Sequence, residues 1–134
     1  MDPWQLVLDR LGLLVASWPS PPWTWDARFN VVAASFAAEL EPAVRTSAMH
    51  AFPRGWTLKT IDTAPATLRA LVDRTGGLRA RQRLLGGDEL IAPSLFGLWW
   101  PWGGGDKITL RIGLLDLDAN TDPIPRVRAL FGAT

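Results

Sequence analysis

Apolar residues near the start of the chain recur at intervals of three and four, the period of one face of an α-helix. The members of this stripe are Trp4, Val7, Leu8, Leu11, Leu14 and Val15. Asp2 followed by Pro3 supplies a side-chain acceptor and a preset φ for a helix start, and Pro19 interrupts the pattern. The sequence therefore predicts a helix that is buried along one side and stops before Pro19.

The segment 18–25, WPSPPWTW, carries three prolines and three tryptophans in eight residues. This composition forbids a helix or a central strand and favours an extended, polyproline-like connection. The segment is also too apolar for an ordinary solvated loop. Trp23 and Trp25 are therefore candidate binding residues.

Two interpretations fit the next apolar positions. Asp26 can cap a second helix whose apolar face holds Phe29, Val32, Ala33, Phe36 and Leu40. Alternatively, Phe29 to Ala33 forms a strand. Pro42 then either kinks the helix or opens a further turn that runs through Met49.

Further along, Trp56 to Ile61 predicts a short strand. Thr63 is expected to cap a helix with Pro65 in its first turn and Gly76 at its end. The inner face of this helix holds Leu68, Leu71 and Val72.

From residue 78 onward the apolar period changes to two, which predicts strands. Turn residues GGD, PS and GGGD separate them. The predicted strands are Leu78 to Leu85, Glu89 to Ala92, Leu95 to Trp102 and Lys107 to Leu117. Asp122 and Pro123 begin a last short helix, which ends near Phe131.

This order of elements predicts one α+β domain over residues 1–134. We expect the helices to pack on one face of a curved antiparallel sheet, built from a meander of three to four strands plus one further strand.

The stretch LWWPWGGGDK, residues 98–107, concentrates three tryptophans beside three glycines. Alternation along the strand puts Trp100 and Trp102 on one face and Trp99 on the other. If the apolar sets of the two adjacent strands share a face, the hairpin loop holds an odd number of residues, three or five. Trp100 and Trp102 are then core residues. A phosphate-binding loop at the glycines is disfavoured because a strand rather than a helix follows.

In either register Trp99 lies on the face opposite the core, beside Arg111 with a five-residue loop and diagonal to it with a three-residue loop. An indole next to a guanidinium is a pairing common at protein interfaces, so Trp99 and Arg111 are candidate anchors for a partner. The alternative is that both residues serve packing alone.

Arg79, Arg81 and Arg83 alternate with other residues. On a strand they would project three guanidinium groups from one face, at a spacing close to the phosphate repeat of a nucleic acid. An acidic protein partner is the alternative. A solvated sheet face is the simplest explanation of all.

The composition limits the chemistry. The net charge of +1 gives no global attraction to nucleic acid or to an anionic membrane. Most of the basic residues are arginine rather than lysine, which fits GC-rich coding. The chain has no cysteine. The first apolar run fits neither a signal peptide nor a spanning helix, so we expect a cytoplasmic protein without membrane contact.

Catalytic and metal signals are weak. His50 is the only histidine and no motif of a known catalytic class is present. Asp62 could act as a buried acid or base, although helix capping is the simpler role. One segment follows the spacing of a calcium-binding loop, with side-chain oxygens from Asp116, Asp118, Asn120 and Asp122. The match is incomplete, because Thr121 replaces the required glycine and Val127 the required glutamate. No cofactor and no metal site is predicted.

The leading hypothesis is a non-enzymatic, tryptophan-rich binding module that contacts a protein partner or forms an oligomer. Its candidate binding residues are Trp99, Arg111, Trp23, Trp25, Arg79, Arg81 and Arg83. The first alternative is a small enzyme or ligand-binding protein with an apolar pocket between sheet and helices. The second is nucleic-acid binding through the three alternating arginines.

Overall fold

A computed structural model describes residues 2, 4–115, 117 and 122–133. It contains a six-stranded antiparallel sheet with the strand order β1-β2-β6-β5-β4-β3 and four helices. The strands are β1 Thr24–Asp26, β2 Val31–Ala37, β3 Arg54–Trp56, β4 Arg83–Gly86, β5 Leu95–Pro101 and β6 Lys107–Leu114. The helices are α1 Gln5–Ser17, α2 Glu41–Ala48, α3 Ala66–Arg74 and α4 Ile124–Phe131. The predicted α+β class and curved antiparallel sheet are confirmed.

Three helices, α1, α2 and α4, cover what we call the first face of the sheet. The apolar stripe of α1 is buried there through Val7, Leu11 and Leu14, as the sequence predicts. Strands β2, β5 and β6 contribute alternate residues to the same cluster, among them Trp99 and Leu110. Because these side chains leave the sheet toward the helices, the larger apolar core lies on this face.

The opposite, second face is covered only in part. Leu68 and Val72 of α3 pack there against Leu84, Phe96 and Leu98 of the central strands. The second face therefore holds a smaller apolar cluster of its own. Its remaining area, over β2 and β6, carries polar side chains, where the hydroxyls of Ser35 and Thr109 are hydrogen bonded at 2.7 Å.

The region after the proline-rich segment is a strand and not the helix that Asp26 was expected to cap. Asp26 ends β1, and its carboxylate accepts a hydrogen bond from the backbone N–H of Arg28 inside the turn. Strand β2 follows from Val31 and pairs with β1 and β6. A short apolar run fits both periods, and pairing on two sides favours the strand here.

Several predicted boundaries move. Pro42 lies in the first turn of α2. The strand predicted over Trp56 to Ile61 lies earlier in the chain, since Trp56 is the last residue of β3. Thr63 donates to the carbonyl of Thr60 instead of capping α3, whose first residue is Ala66. At the last helix, the Asp122 carboxylate accepts from the N–H of Ile124.

The predicted strand over Glu89 to Ala92 is wrong. Asp88 accepts hydrogen bonds from the N–H groups of Leu90 and Ile91, which fold this segment into a turn. Side-chain acceptors of this kind compete with strand pairing.

The predicted hairpin register between β5 and β6 is also wrong. Trp99 pairs with Leu110 and Trp100 with Thr109, so the loop holds four residues, 103–106. The N–H of Trp102 donates to the carbonyl of Lys107 at 2.8 Å and closes it. An even loop reverses the predicted faces, so that Trp99 belongs to the main core while Trp100 and Trp102 lie on the second face.

Within the described residues, none of the helices has both the length and the apolar character needed to cross a membrane.

Candidate functional site

Two adjoining recesses open on the first face, where the sheet extends past α2 toward β3. Their volumes are about 290 Å³ and about 320 Å³. Thr57, Arg83 and Trp99 line both of them. We call the two together the groove.

The first recess is lined mainly by apolar groups, and we call it the apolar recess. Ala48 and Met49 at the end of α2, Phe52 in the following turn and Leu85 of β4 surround it. Trp99 is only 3% exposed and packs edge-on against Phe36 at 5.3 Å between ring centroids. The indole is therefore a fixed part of the core as well as a wall of the groove.

The second recess, the polar recess, collects hydrogen-bonding groups. Glu41 of α2, Arg81 and Gln82 before β4, and Gly105 of the hairpin loop line it. The carbonyl of Gln82's side chain accepts a hydrogen bond from the N–H of Arg79, which leaves the amide NH2 as a donor. This recess is adapted to a charged or polar group rather than to a hydrocarbon chain.

The arginines of the groove carry an excess of positive charge. Glu41 and Arg45 form an ion pair at 3.8 Å between Oε1 and Nη1. In the part of the chain that the structure describes, no carboxylate lies within ion-pair distance of Arg81 or Arg83. Arg54, which lines the apolar recess, also has no such carboxylate, but its Nε donates to the carbonyl of Gly87 at 2.7 Å and its guanidinium lies 5.3 Å from the ring centre of Trp56. Arg81 and Arg83 are therefore the guanidinium groups left for a ligand, and their position beside an apolar recess favours a ligand that is anionic at one end and apolar at the other.

The sequence singled out Trp99, Arg81 and Arg83 on separate grounds, and the fold brings these three together in the groove. Arg83 lies directly opposite Trp99 across the β4–β5 ladder, so both side chains leave the sheet on the first face. The predicted strand face of three arginines does not form, because β4 begins only at Arg83. Arg79 is exposed in the preceding turn and lines neither recess.

Arg111 does not lie beside Trp99 as predicted; it projects from the second face. Its guanidinium lies 4.9 Å from the ring centre of Trp100 and 5.8 Å from that of Phe29. Its Nε lies 3.6 Å from the Asp26 carboxylate, a pair whose side chains are 18% and 14% exposed. This arrangement joins the β1–β2 turn to the sheet, and we interpret Arg111 as a packing residue.

The tryptophans of the segment 18–25 are also largely internal. Trp18 and Trp23 are buried and lie 4.5 Å apart, and Trp23 packs edge-on against Phe131 at 4.7 Å. Trp25 is half-buried, with the guanidinium of Arg128 4.6 Å from its ring centre. The exposed aromatic surface that favoured a protein-interaction module is therefore not found at Trp18, Trp23 or Trp99.

The weaker catalytic and metal candidates lie outside the groove. His50 is exposed in the turn after α2. Asp62 is exposed in a short 3-10 segment, so it is not the buried acid or base that the sequence allowed. Asp116, Asp118 and Asn120 of the calcium-like spacing lie outside the described residues. Over residues 2, 4–115, 117 and 122–133, no group of three or more histidine and acidic side chains is placed to hold a metal ion.

Sequence reasoning missed Thr57, Phe52 and Glu41. Thr57 follows β3, Phe52 lies in the turn after α2, and Glu41 belongs to α2 itself. Only tertiary packing brings the three to the groove. The sequence did contain one indication of this region: Glu41 and Arg45 are four residues apart, the spacing of an ion pair on a helix.

No protein-family model, no curated protein and no solved structure matches the chain at a significant level.

Proposed function

We propose that the protein binds a small amphipathic anion in the groove between α2 and the β3–β4–β5 part of the sheet. The observation that carries the proposal is the position of Arg83. It stands between the apolar and polar recesses, on the same face as Trp99 and without an ion pair to any described carboxylate. An arginine in that position attracts an anionic group and leaves the apolar recess for the rest of the ligand.

The size and lining of the groove support a small molecule rather than a macromolecule. Ligand pockets are concave, mostly apolar and furnished with a few polar groups that fix orientation. The apolar recess has this character at about 290 Å³, near the lower end of the usual range of about 300–1,000 Å³. The charge is local, because the whole chain carries a net charge of only +1.

The proposed role is binding rather than catalysis. The side chains that line the groove include one carboxylate, Glu41, which is already paired with Arg45. Catalysis by a general acid or base needs a titratable group within reach of the ligand. Neither His50 nor Asp62 lines either recess.

The experiment uses two probes with the same apolar chain and opposite charge, octanoate and octylammonium, below their micellar concentrations. We expect octanoate, and not octylammonium, to shift the backbone NMR resonances of β4, β5 and Thr57 and to change tryptophan fluorescence. Arg83→Ala should weaken octanoate binding about tenfold, because the loss of one charge-assisted hydrogen bond raises the Kd by about that factor.

Arg79→Ala is the matched control, because it removes the same charge from the same segment outside the groove. It should leave the octanoate affinity unchanged. Equal binding of both probes, or resonance shifts that cluster away from the groove, would remove the basis for the proposal.

A further inference from the structure

The apolar recess and the polar recess differ in what they can hold, and their arrangement narrows the class of ligand. This inference rests on the proposed function. The apolar recess accepts a hydrocarbon body. The polar recess, of about 320 Å³, offers donors from several side chains to the charged end of the ligand.

The donors in the polar recess exceed what a carboxylate uses. Arg81 and Arg83 supply two guanidinium groups, and Thr57 and Gln82 add a hydroxyl and an amide. A carboxylate has two oxygens and one charge. A phosphate monoester has three terminal oxygens and a charge near −2 at neutral pH, so it matches two arginines, a hydroxyl and an amide better. Glu41 also lines this recess, and its negative charge is offset by the ion pair with Arg45.

The hairpin loop holds Arg81 close to this recess. A Cβ atom added to Gly105 would lie 2.9 Å from Nη2 of Arg81 and 3.3 Å from Nη1, so the guanidinium packs directly against the loop backbone. Gly105 also has a φ of +75°, which favours glycine. The glycine therefore serves both the turn and the placement of Arg81, although the loop itself is not a phosphate-binding loop.

We infer that the ligand is the phosphate monoester of an apolar alcohol, with its phosphate in the polar recess between Arg81 and Arg83 and its hydrocarbon part in the apolar recess against Trp99. Arg83 contacts any anionic head because it lines both recesses, whereas Arg81 lines only the polar one. Arg81 is then the residue that distinguishes a phosphate from a carboxylate.

Titration calorimetry of the full chain with octyl phosphate, octanoate and inorganic phosphate at pH 7.5 tests this assignment. We expect octyl phosphate to bind about tenfold more tightly than octanoate, and inorganic phosphate to bind more weakly than octyl phosphate. Arg81→Ala should remove most of the tenfold preference and change octanoate affinity less than twofold. Arg83→Ala should weaken both amphipathic probes.

Arg79→Ala again serves as the charge-matched control and should change none of these affinities. Arg81 is exposed and its loss should not disturb the fold, which thermal unfolding of each variant verifies.

The outcomes separate the two proposals. If octanoate binds in the groove and octyl phosphate binds no more tightly, the phosphate assignment is overturned while the anion site stands. If neither amphipathic anion binds there, both proposals fail.

Cosedimentation with phosphatidylcholine vesicles, with and without phosphatidic acid, tests a membrane source of the same chemistry. We expect no Arg81-dependent binding to either vesicle, since the groove is sized for a free ester. Binding that requires both phosphatidic acid and Arg81 would overturn the assignment to a free ligand.

Discussion

Arg83 and Trp99 face each other across the β4–β5 ladder and leave the sheet on the same face. Trp99 is held by the core through Phe36, whereas Arg83 has no carboxylate partner among the described residues. One member of the pair is therefore fixed by packing and the other is available to a ligand. This division of roles allows stability and binding to be tested by separate substitutions.

Trp99→Ala should lower the free energy of unfolding by about 3–5 kcal/mol, because it removes a large buried ring and leaves a cavity. Urea unfolding followed by circular dichroism measures the loss. Trp102→Ala is the matched control. Trp102 is 48% exposed and its Nε1 donates one hydrogen bond to Thr109, so its loss should cost about 1 kcal/mol or less. Equal losses in the two variants would contradict the observed register.

Glu41→Gln should raise the affinity for octanoate about two- to fivefold. The substitution removes the carboxylate that lines the polar recess and releases Arg45 from its 3.8 Å ion pair. Both changes make the groove more positive, and the gain should shrink in high salt because the pair is partly exposed.

Glu39→Gln removes the same charge from the neighbouring 3-10 segment, outside both recesses, and should leave the affinity unchanged. A lower affinity in Glu41→Gln would mean that Glu41 contacts the ligand as an acceptor.

The sequence predicted the buried side of helix α1 better than the two faces of strand β5, and the reason lies in the number of covered faces. The stripe of α1 has a single period and one buried side, so Val7, Leu11 and Leu14 were identified correctly. Strand β5 is buried on both faces, with Leu98 under α3 and Trp99 under the main core. A strand that is apolar on both sides gives no indication of which residue faces which layer.

The candidate site could be predicted only as unconnected residues. Arg81, Arg83 and Trp99 were visible as unusual positions, and an apolar pocket between sheet and helices was one of the alternatives. Their common location depends on the pairing of β4 with β5 and on the position of α2, which are contacts between distant parts of the chain. The prediction that Arg111 shares a face with Trp99 is wrong because the hairpin loop holds an even number of residues.

Gly113→Ala should destabilise the fold by about 1–3 kcal/mol through overpacking. A Cβ at Gly113 would lie 2.6 Å from Cζ of Phe96 and 2.8 Å from Cγ1 of Val31, both in the smaller core cluster. Gly103→Ala is the matched control, since nothing lies within 4 Å of its Cβ position. Thermal unfolding should show a lower Tm for the first variant only. A neutral Gly113→Ala would mean that the second face is more loosely packed than described.

Asp26→Asn should destabilise the protein by about 1–3 kcal/mol at pH 7, because the Arg111 guanidinium loses its carboxylate while it stays packed between Phe29 and Trp100. Desolvation raises the pKa of Asp26, but hydrogen bonds from Arg28 and the charges of Arg28 and Arg111 outweigh it, so the folded-state pKa lies below the usual value.

A lowered folded-state pKa means that Asp26 stabilises the fold above the unfolded pKa of about 3.9 and loses this contribution as the pH falls through the folded value. The difference in unfolding free energy between the wild type and Asp26→Asn should therefore be constant from pH 7 to 5 and shrink below about pH 4. Urea unfolding at pH 7, 5 and 3 measures it. Asp62→Asn, at an exposed position, should change stability by less than about 0.5 kcal/mol throughout. A difference for Asp26→Asn that stayed the same at pH 3 would show that the loss comes from packing and not from the carboxylate's charge.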